Sequence, residues 1–497
     1  MTSTNPHHER RWLILAVLGI AQLMVVLDAT VVNIALPSAQ QALHFTNDNR
    51  QWIVTAYALA FGSLLLLGGR VSDLFGRKWT FVGGLAGFAL ASAAGGAAQS
   101  FGMLVGARAV QGAFGALLAP AALSLLTTTF TDARERAKAF GVYGAIGGSG
   151  ASLGLLLGGV LTQTLDWRWT MFVNLIFAVL ATVGALALLS NQRPAARARL
   201  DMPGVLTVSG GLFALVYGLN NAQTASWGSA TTVAFLAAAG VLLALFVTIE
   251  RRVANPLLPL RVVLDRDRGG AFAAIGIAAA AVFAVFMFLT YYLQQNLGFS
   301  PIANGLAFLP MTATIMLSAT LASTRLLPRV GPRPLVVSGM ALGAAGMLYL
   351  TRLGVHSTYA TSILPSLLVM GMGFGLIFAP AMATATLGVG ESDSGVASAM
   401  VNANQQVGGS VGVALLSTVA SSAASGFVGA AHPTAQLLAA ATVHGYTTAF
   451  AWSAGLFAFG ALAAAVMFRA RRGATEDLPE TATVQERPLR TLVEGAI

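Results

Sequence analysis

Apolar and polar residues are segregated along this chain into long blocks. Stretches of about 20 almost uncharged residues, the length a helix needs to cross a bilayer core, recur fourteen times. They lie at 12–36, 50–68, 79–98, 104–127, 139–161, 169–190, 204–220, 230–249, 269–293, 303–323, 334–350, 362–387, 397–421 and 444–468. The short segments between them hold nearly all the Asp, Glu, Lys and Arg. The expected fold is therefore an all-α polytopic membrane protein with 14 transmembrane helices, because in lipid a helix satisfies all its own backbone hydrogen bonds. The first block runs too long for the apolar part of a secretory signal and lacks a small-residue cleavage site, so it is expected to remain as an anchor. Residues 469–497 mix acids, prolines and arginines and are expected to form a disordered cytoplasmic tail.

The basic residues orient the blocks. With residues 1–11 in the cytoplasm, 24 of the 28 Lys and Arg fall in cytoplasmic segments, three (Arg50, Arg168, Arg352) fall outside, and Arg108 falls within a span. That asymmetry is the positive-inside pattern; it predicts an even number of spans and both termini in the cytoplasm. The net charge of +10 is then an orientation signal beside anionic lipid, and no nucleic-acid partner is expected. Composition agrees: 56% of residues are hydrophobic, only 9% are charged, and the mean hydropathy is +0.74, whereas roughly 25% of a soluble domain is charged. The chain has no cysteine, which excludes disulfides, thiolate catalysis and cysteine-ligated metal.

Polar groups inside the blocks carry the candidate chemistry. Asp28 lies deep in the first span, where an unpaired charge costs at least about 2.5 kcal/mol on insertion scales, so it is expected to face the bundle interior or a wet cavity. Arg108 is the only basic residue deep in a span, and its guanidinium cannot escape burial by losing a proton. The first span runs outward and the fourth inward, which places both residues in the outer half of the bilayer and within reach of one another. Asp28 reads either as a structural anion that fixes helix packing or as a proton carrier, protonated when desolvated and ionised when water or a basic partner approaches. Gln22, Asn33 and Gln111 accompany the pair, and Asn402, Asn404, Gln405 and Gln406 open the thirteenth span. Each reads equally as a substrate contact or as an interhelical hydrogen bond. Trp52, Tyr57, Tyr291 and Tyr292 suit stacking on a flat or cationic solute, or else a belt or packing position.

Between the second and third spans the chain reads Gly69-Arg-Val-Ser-Asp73-Leu-Phe-Gly76-Arg77-Lys78. Glycines permit a tight turn and close helix contact, Asp73 is placed to cap a neighbouring helix, and Arg77 with Lys78 to hold neighbouring helix termini. This segment resembles the G-x-L-x-D-x-x-G-R-[RK] loop of the major facilitator superfamily, with Val71 at the usual leucine. Further stretches resemble its fourteen-span drug:proton antiporters, which include bacterial multidrug and antibiotic-resistance exporters. They are Leu27-Asp28-Ala-Thr-Val-Val-Asn33-Ile-Ala-Leu-Pro37, Arg108-Ala-Val-Gln111-Gly112, the glycines Gly147, Gly148, Gly154, Gly158 and Gly159, and Trp167-Arg-Trp169 with Phe172 and Asn174. Pro256 to Leu260, Tyr292-Leu-Gln294 and the region from Gly395 extend the resemblance over almost the whole chain. It departs at Gly154-Leu155, where that family has Gly-Pro.

An offset of 255 residues places Gly76 on Gly331 and Lys78 on Arg333, but Asp73 on Pro328. Two six-helix halves are expected, at 12–190 and 269–468, with two inserted helices and their flanking loops at 191–268. The resemblance implies a proton-coupled secondary exporter of amphipathic drugs or antibiotics in the bacterial cytoplasmic membrane, functional as a monomer. Asp28 and Arg108 would serve proton coupling, and Gly69, Asp73, Gly76, Arg77 and Lys78 the conformational switch. The alternative on the same scaffold is an importer, or a transporter of one specific metabolite. No cofactor or metal is expected beyond the coupling proton. An enzyme is not expected either, since the chain holds neither a G-x-x-x-x-G-K-[ST] element nor a sizeable outer loop for catalytic acids.

Overall fold

The computed structural model describes residues 6–45, 47–190, 201–253, 256–390, 393–428 and 434–469. The tail beyond residue 469 and Arg193, Arg197 and Arg199 lie outside the described residues. Among the described residues all regular structure is helical. The helices are α1 (Pro6–Leu43), α2 (Asn47–Phe75), α3 (Arg77–Gly96), α4 (Phe101–Thr129), α5 (Ala133–Thr164), α6 (Trp169–Leu188), α7 (Met202–Thr224) and α8 (Ala230–Glu250). After the short α9 (Leu260–Leu264) come α10 (Arg266–Tyr291), α11 (Pro301–Leu321), the one-turn α12 (Leu327–Val330), α13 (Pro332–Leu350), α14 (Leu364–Ala385), α15 (Ser394–Val428) and α16 (Ala435–Met467).

Thirteen helices among the described residues are long and apolar enough to cross a membrane. The fifth expected span, 139–161, is helical throughout within the 32-residue α5 but is not among those thirteen. Helix starts are set by short polar side chains that accept the free N–H groups of the first turn. Ser100 accepts from Met103 at 3.3 Å, Asp132 from Arg134 and Glu135 at 3.0 Å, and Ser300 from Ala303 at 3.2 Å.

Helices α1, α3, α4 and α6 pack together with α2 against α4; α10, α13, α14, α15 and α16 form a second set of neighbours. The sets meet where α5 packs on α11 and α14, and where α2 packs on α15. Helices α7 and α8 pair with each other, and α7 leans on both α2 and α15. Its Asn220 amide donates to the Thr55 hydroxyl of α2, and Trp227 Nε1 after it donates to Thr418 Oγ1 of α15 at 2.6 Å. On the outside, Leu90, Val183, Leu206, Val241, Leu317, Leu462 and Val466 are all exposed. A continuous apolar surface of this kind suits hydrocarbon, not water.

Candidate functional site

Asp28 on α1 and Arg108 on α4 are both sealed from solvent, at 0% and 1% exposure. Arg108 Nη1 meets Asp28 Oδ2 at 2.6 Å. Taking two charges out of water is tolerable only where pairing and further hydrogen bonds satisfy them, and those bonds come from α2, α6 and the next turn of α4, with α3 holding the two amides in place. Gln111, one turn beyond Arg108 on α4, donates through Nε2 to Asp28 Oδ1 at 2.8 Å, while its Oε1 accepts from Arg108 Nη1 at 2.6 Å. Asn174 on α6 donates to the same Asp28 Oδ1 at 2.8 Å. Ser92 on α3 accepts from Asn174 at 2.9 Å and from Gln111 at 3.2 Å, and donates to the Met171 carbonyl at 2.8 Å. Arg108 Nε reaches the Ile53 carbonyl of α2 at 3.4 Å, and the guanidinium stacks over the Tyr57 ring with Cζ 4.3 Å from its centroid. The result is a closed polar knot in which the ionised carboxylate accepts three bonds. Arg108 is neutralised on one side and faced by an aromatic ring on another.

The second cluster lies where α2 turns into α3. Gly76 takes φ 94°, a left-handed conformation that lets the chain reverse directly between the two helices. Asp73 Oδ1 accepts the Gly395 N–H at 3.1 Å, and Arg77 Nη2 donates to Ser394 Oγ at 2.9 Å. Both bonds land on the N-terminal turn of α15, where free N–H groups and the helix dipole favour an anion. Ser124 of α4 joins the same turn, its Oγ 2.9 Å from Ser394 Oγ. Close approach is a requirement here: a Cβ on Gly69 would sit 2.6 Å from the Gly395 carbonyl oxygen. Lys78 Nζ donates to the carbonyls of Leu186 and Leu189, at 3.1 and 2.6 Å, at the C-terminal end of α6.

The remaining candidates do not gather at one place. Gln22 accepts from the Tyr143 hydroxyl of α5 at 2.7 Å. Trp52 packs against Tyr217 of α7, with ring centroids 6.0 Å apart. Tyr291 is largely exposed, whereas Tyr292 is fully buried and spends its hydroxyl on the Gly354 carbonyl at 2.6 Å. Asn402 and Asn404 donate to carbonyls of their own helix, Ser398 and Met400. Gln405 and Gln406 are half-buried, with Gln406 against Gly62 of α2. The side chain of Asn33 lies outside what the structure describes. Two members of the Asp28 cluster escape a search for charged or aromatic residues. Ser92 sits in a run of small residues, where one hydroxyl carries no signal. Asn174, named above only within the stretch that carries the family resemblance, is the only amide in α6, and that isolation is the cue to its role.

The structure is an all-helical bundle of membrane-length helices with an ion pair sealed in its interior. Among the described residues no cluster of His, Cys, Asp or Glu is arranged to hold a metal. The family model described as Major Facilitator Superfamily matches residues 18–413, and the chain belongs to that superfamily. It is similar to the puromycin resistance protein of Streptomyces alboniger, at 48% identity over 482 residues, covering 96% of this chain and 95% of that protein. It is also similar to the cephamycin export protein of Amycolatopsis lactamdurans, at 38% identity, covering 82% of this chain and 84% of that one. Among solved structures, a proton:xylose symporter matches with a TM-score of 0.64 at 15% identity, covering 92% of this chain and 95% of that chain. A human organic anion transporter matches with a TM-score of 0.62 at 14% identity, covering 93% and 100%. These two likenesses concern the fold alone. The curated relatives are bacterial, and the chain is a bacterial multi-pass membrane protein.

Proposed function

We propose that the protein is a proton-coupled exporter that exchanges inward-moving protons for an amphipathic, antibiotic-like solute. The observation that carries this reading is the buried Asp28–Arg108 pair with its ring of donors. Among the described residues it is the one ion pair with both side chains sealed from solvent. The relatives named for puromycin resistance and cephamycin export supply the substrate class and the outward direction.

In this reading Asp28 is reached by water from the outer side in one conformation, accepts a proton and releases Arg108. Closure of that side and opening of the other return the proton to the cytoplasm. The pair is sealed in the present conformation, so exchange requires the helices to part. All fourteen long helices, α5 included, span the bilayer with both termini in the cytoplasm. Residues 12–190 and 269–468 act as two rocking halves, with α7 and α8 inserted between them. The Asp73 and Arg77 bonds to the start of α15 form the inner latch: held here, broken when the protein opens inward. Gln22, bonded to Tyr143 of α5, and Gln406, beside Gly62 of α2, remain substrate-contact candidates with Gln405 and Trp52. The exporter works as a monomer, and one elementary charge moving across 100 mV supplies about 2.3 kcal/mol, enough for tens-fold accumulation.

Reconstitution in liposomes tests this reading. With an imposed pH gradient, puromycin should move against the proton flow in the wild type and stop doing so in Asp28→Asn. Movement in the same direction as the protons, or a rate indifferent to the gradient, would refute it.

A further inference from the structure

Around Asp28 each donor and acceptor can be counted. The Gln111 and Asn174 amide nitrogens each donate to Asp28 and to Ser92. Ser92 donates to the Met171 carbonyl, and Gln111 Oε1 accepts from Arg108. One acceptor is left over: Asn174 Oδ1, buried and without a hydrogen-bond partner, on a side chain that is 0% exposed. A buried polar atom without a partner is disfavoured, and where one persists it calls for an explanation.

Protonation of Asp28 supplies that explanation. The carboxylate takes a proton from water and becomes a carboxyl group, which turns one of its oxygens from acceptor to donor. That new O–H needs an acceptor beside it. We propose that Asn174 is the positioning residue for the coupling proton: its amide holds the ionised carboxylate through Nδ2 and, turned about its Cβ–Cγ bond, holds the protonated carboxyl through Oδ1. Ser92 sets the first orientation by accepting from the same nitrogen. When the amide turns, Ser92 keeps its bonds with Gln111 and Met171 and loses the one from Asn174, whose Nδ2 moves into the place Oδ1 held, so the turn itself is confined to one side chain.

Among the described residues the charged and titratable groups that meet this cluster are Arg108 of α4 and Tyr57 of α2. Helices α3 and α6 bring the neutral Ser92 and Asn174. Helix α5 meets this turn of α1 with Gly154 against Thr30, whose hydroxyl is bonded to the carbonyls of Val26 and Leu27. Arg108, released by the neutral carboxyl, keeps Gln111 Oε1 and the Ile53 carbonyl as acceptors and, being only a donor, cannot accept the new O–H; the group that can is the amide.

This inference rests on the proton-carrier reading of Asp28, and one titration separates the two. The purified full-length protein is followed by infrared difference spectroscopy as pH falls. The Asp28 carboxyl band is identified as the one that Asp28→Asn removes. In Asn174→Leu that band should appear about one pH unit to the alkaline side, because a donor to the charged form is lost. The amide carbonyl shift that accompanies the band in the wild type should be absent. Ser92→Ala, a gentler change that keeps the test open should Asn174→Leu fail to fold, should move the midpoint less and in the same direction. An Asp28 band whose midpoint and accompanying amide signal are unchanged in both variants would overturn the role of Asn174 while leaving Asp28 as the carrier. A wild type in which Asp28→Asn removes no band would overturn both.

Discussion

The two main sets of helices have opposite interiors. Among α1, α3, α4 and α6 the centre is bonded: one carboxylate, one guanidinium, two amides and a hydroxyl, each with named partners at 2.6 to 3.4 Å. Among α10, α13, α14 and α16 the centre is packed. Phe288 lies against Phe450 and Tyr446, Phe374 stacks on Phe457 with centroids 6.0 Å apart, and Met340, Met347 and Met370 are fully buried. The loops differ in the same way. Gly76 and Gly331, which the 255-residue offset superposes, both take positive φ, 94° and 75°, between two helices. The turn is thus repeated, but only the first copy carries the acid that reaches across to α15. Backbone geometry can be shared by two regions while ionisable chemistry is confined to one. A bonded interior rearranges by exchanging discrete partners, and a packed one by sliding flexible side chains.

The largest departure should follow from Arg108→Ala. Removing one partner of a buried pair leaves the other uncompensated, at about 3–5 kcal/mol. Thermal unfolding in detergent should show that loss, and efflux should cease. Phe457→Ala in the packed set should lower stability through its cavity, by about 3 kcal/mol. Unlike changes at the Asp28 cluster, it should leave the pH dependence of transport where it was; a moved pH profile would break the contrast between the two interiors. Gly395→Val crowds the contact with Gly69 and the Asp73 carboxylate, and overpacking of this kind costs about 1–3 kcal/mol. Its effect should fall on the conformational equilibrium, read as faster labelling of cysteines introduced along the α2–α15 seam.

The smallest effect belongs to the exposed start of α5. The backbone N–H groups of Glu135 and Arg134 hold the Asp132 carboxyl below its usual value. The folded form thus favours the ionised acid. Its contribution is present above about pH 4, the ordinary range of an aspartate, and fades as pH falls through the depressed value. Asp132→Ala should therefore lower the melting temperature slightly at pH 7, by an amount that shrinks as the pH falls through the depressed value. A deficit that stays the same across the whole acid titration would assign the loss to something other than the charged cap.

Much of this architecture is readable from block length alone, because hydrocarbon enforces helices of known length. The depth of Asp28 and Arg108 in antiparallel spans already puts them at one level, and they lie 2.6 Å apart. The capping capacity of Asp73 is readable from its residue type, but its partner is not: Gly395 is 322 residues away, and only the packing of α2 on α15 brings it there. Ser92 and Asn174 fail to announce themselves for another reason. Neutral polar residues are tolerated in spans for many purposes, and their meaning appears only when the carboxylate they face is located. The aromatics show the reverse. Tyr57, a candidate for either a solute contact or a packing position, stacks on Arg108, and Tyr292 is committed to a backbone carbonyl.

In the proposed cycle Asp28 exchanges a proton as substrate binds. Adding puromycin to the purified protein in weakly buffered detergent solution, with a pH indicator, measures this directly. The wild type should release protons and Asp28→Asn none, with both proteins binding the drug. Equal release from the two would contradict this exchange and return Asp28 to a purely structural anion.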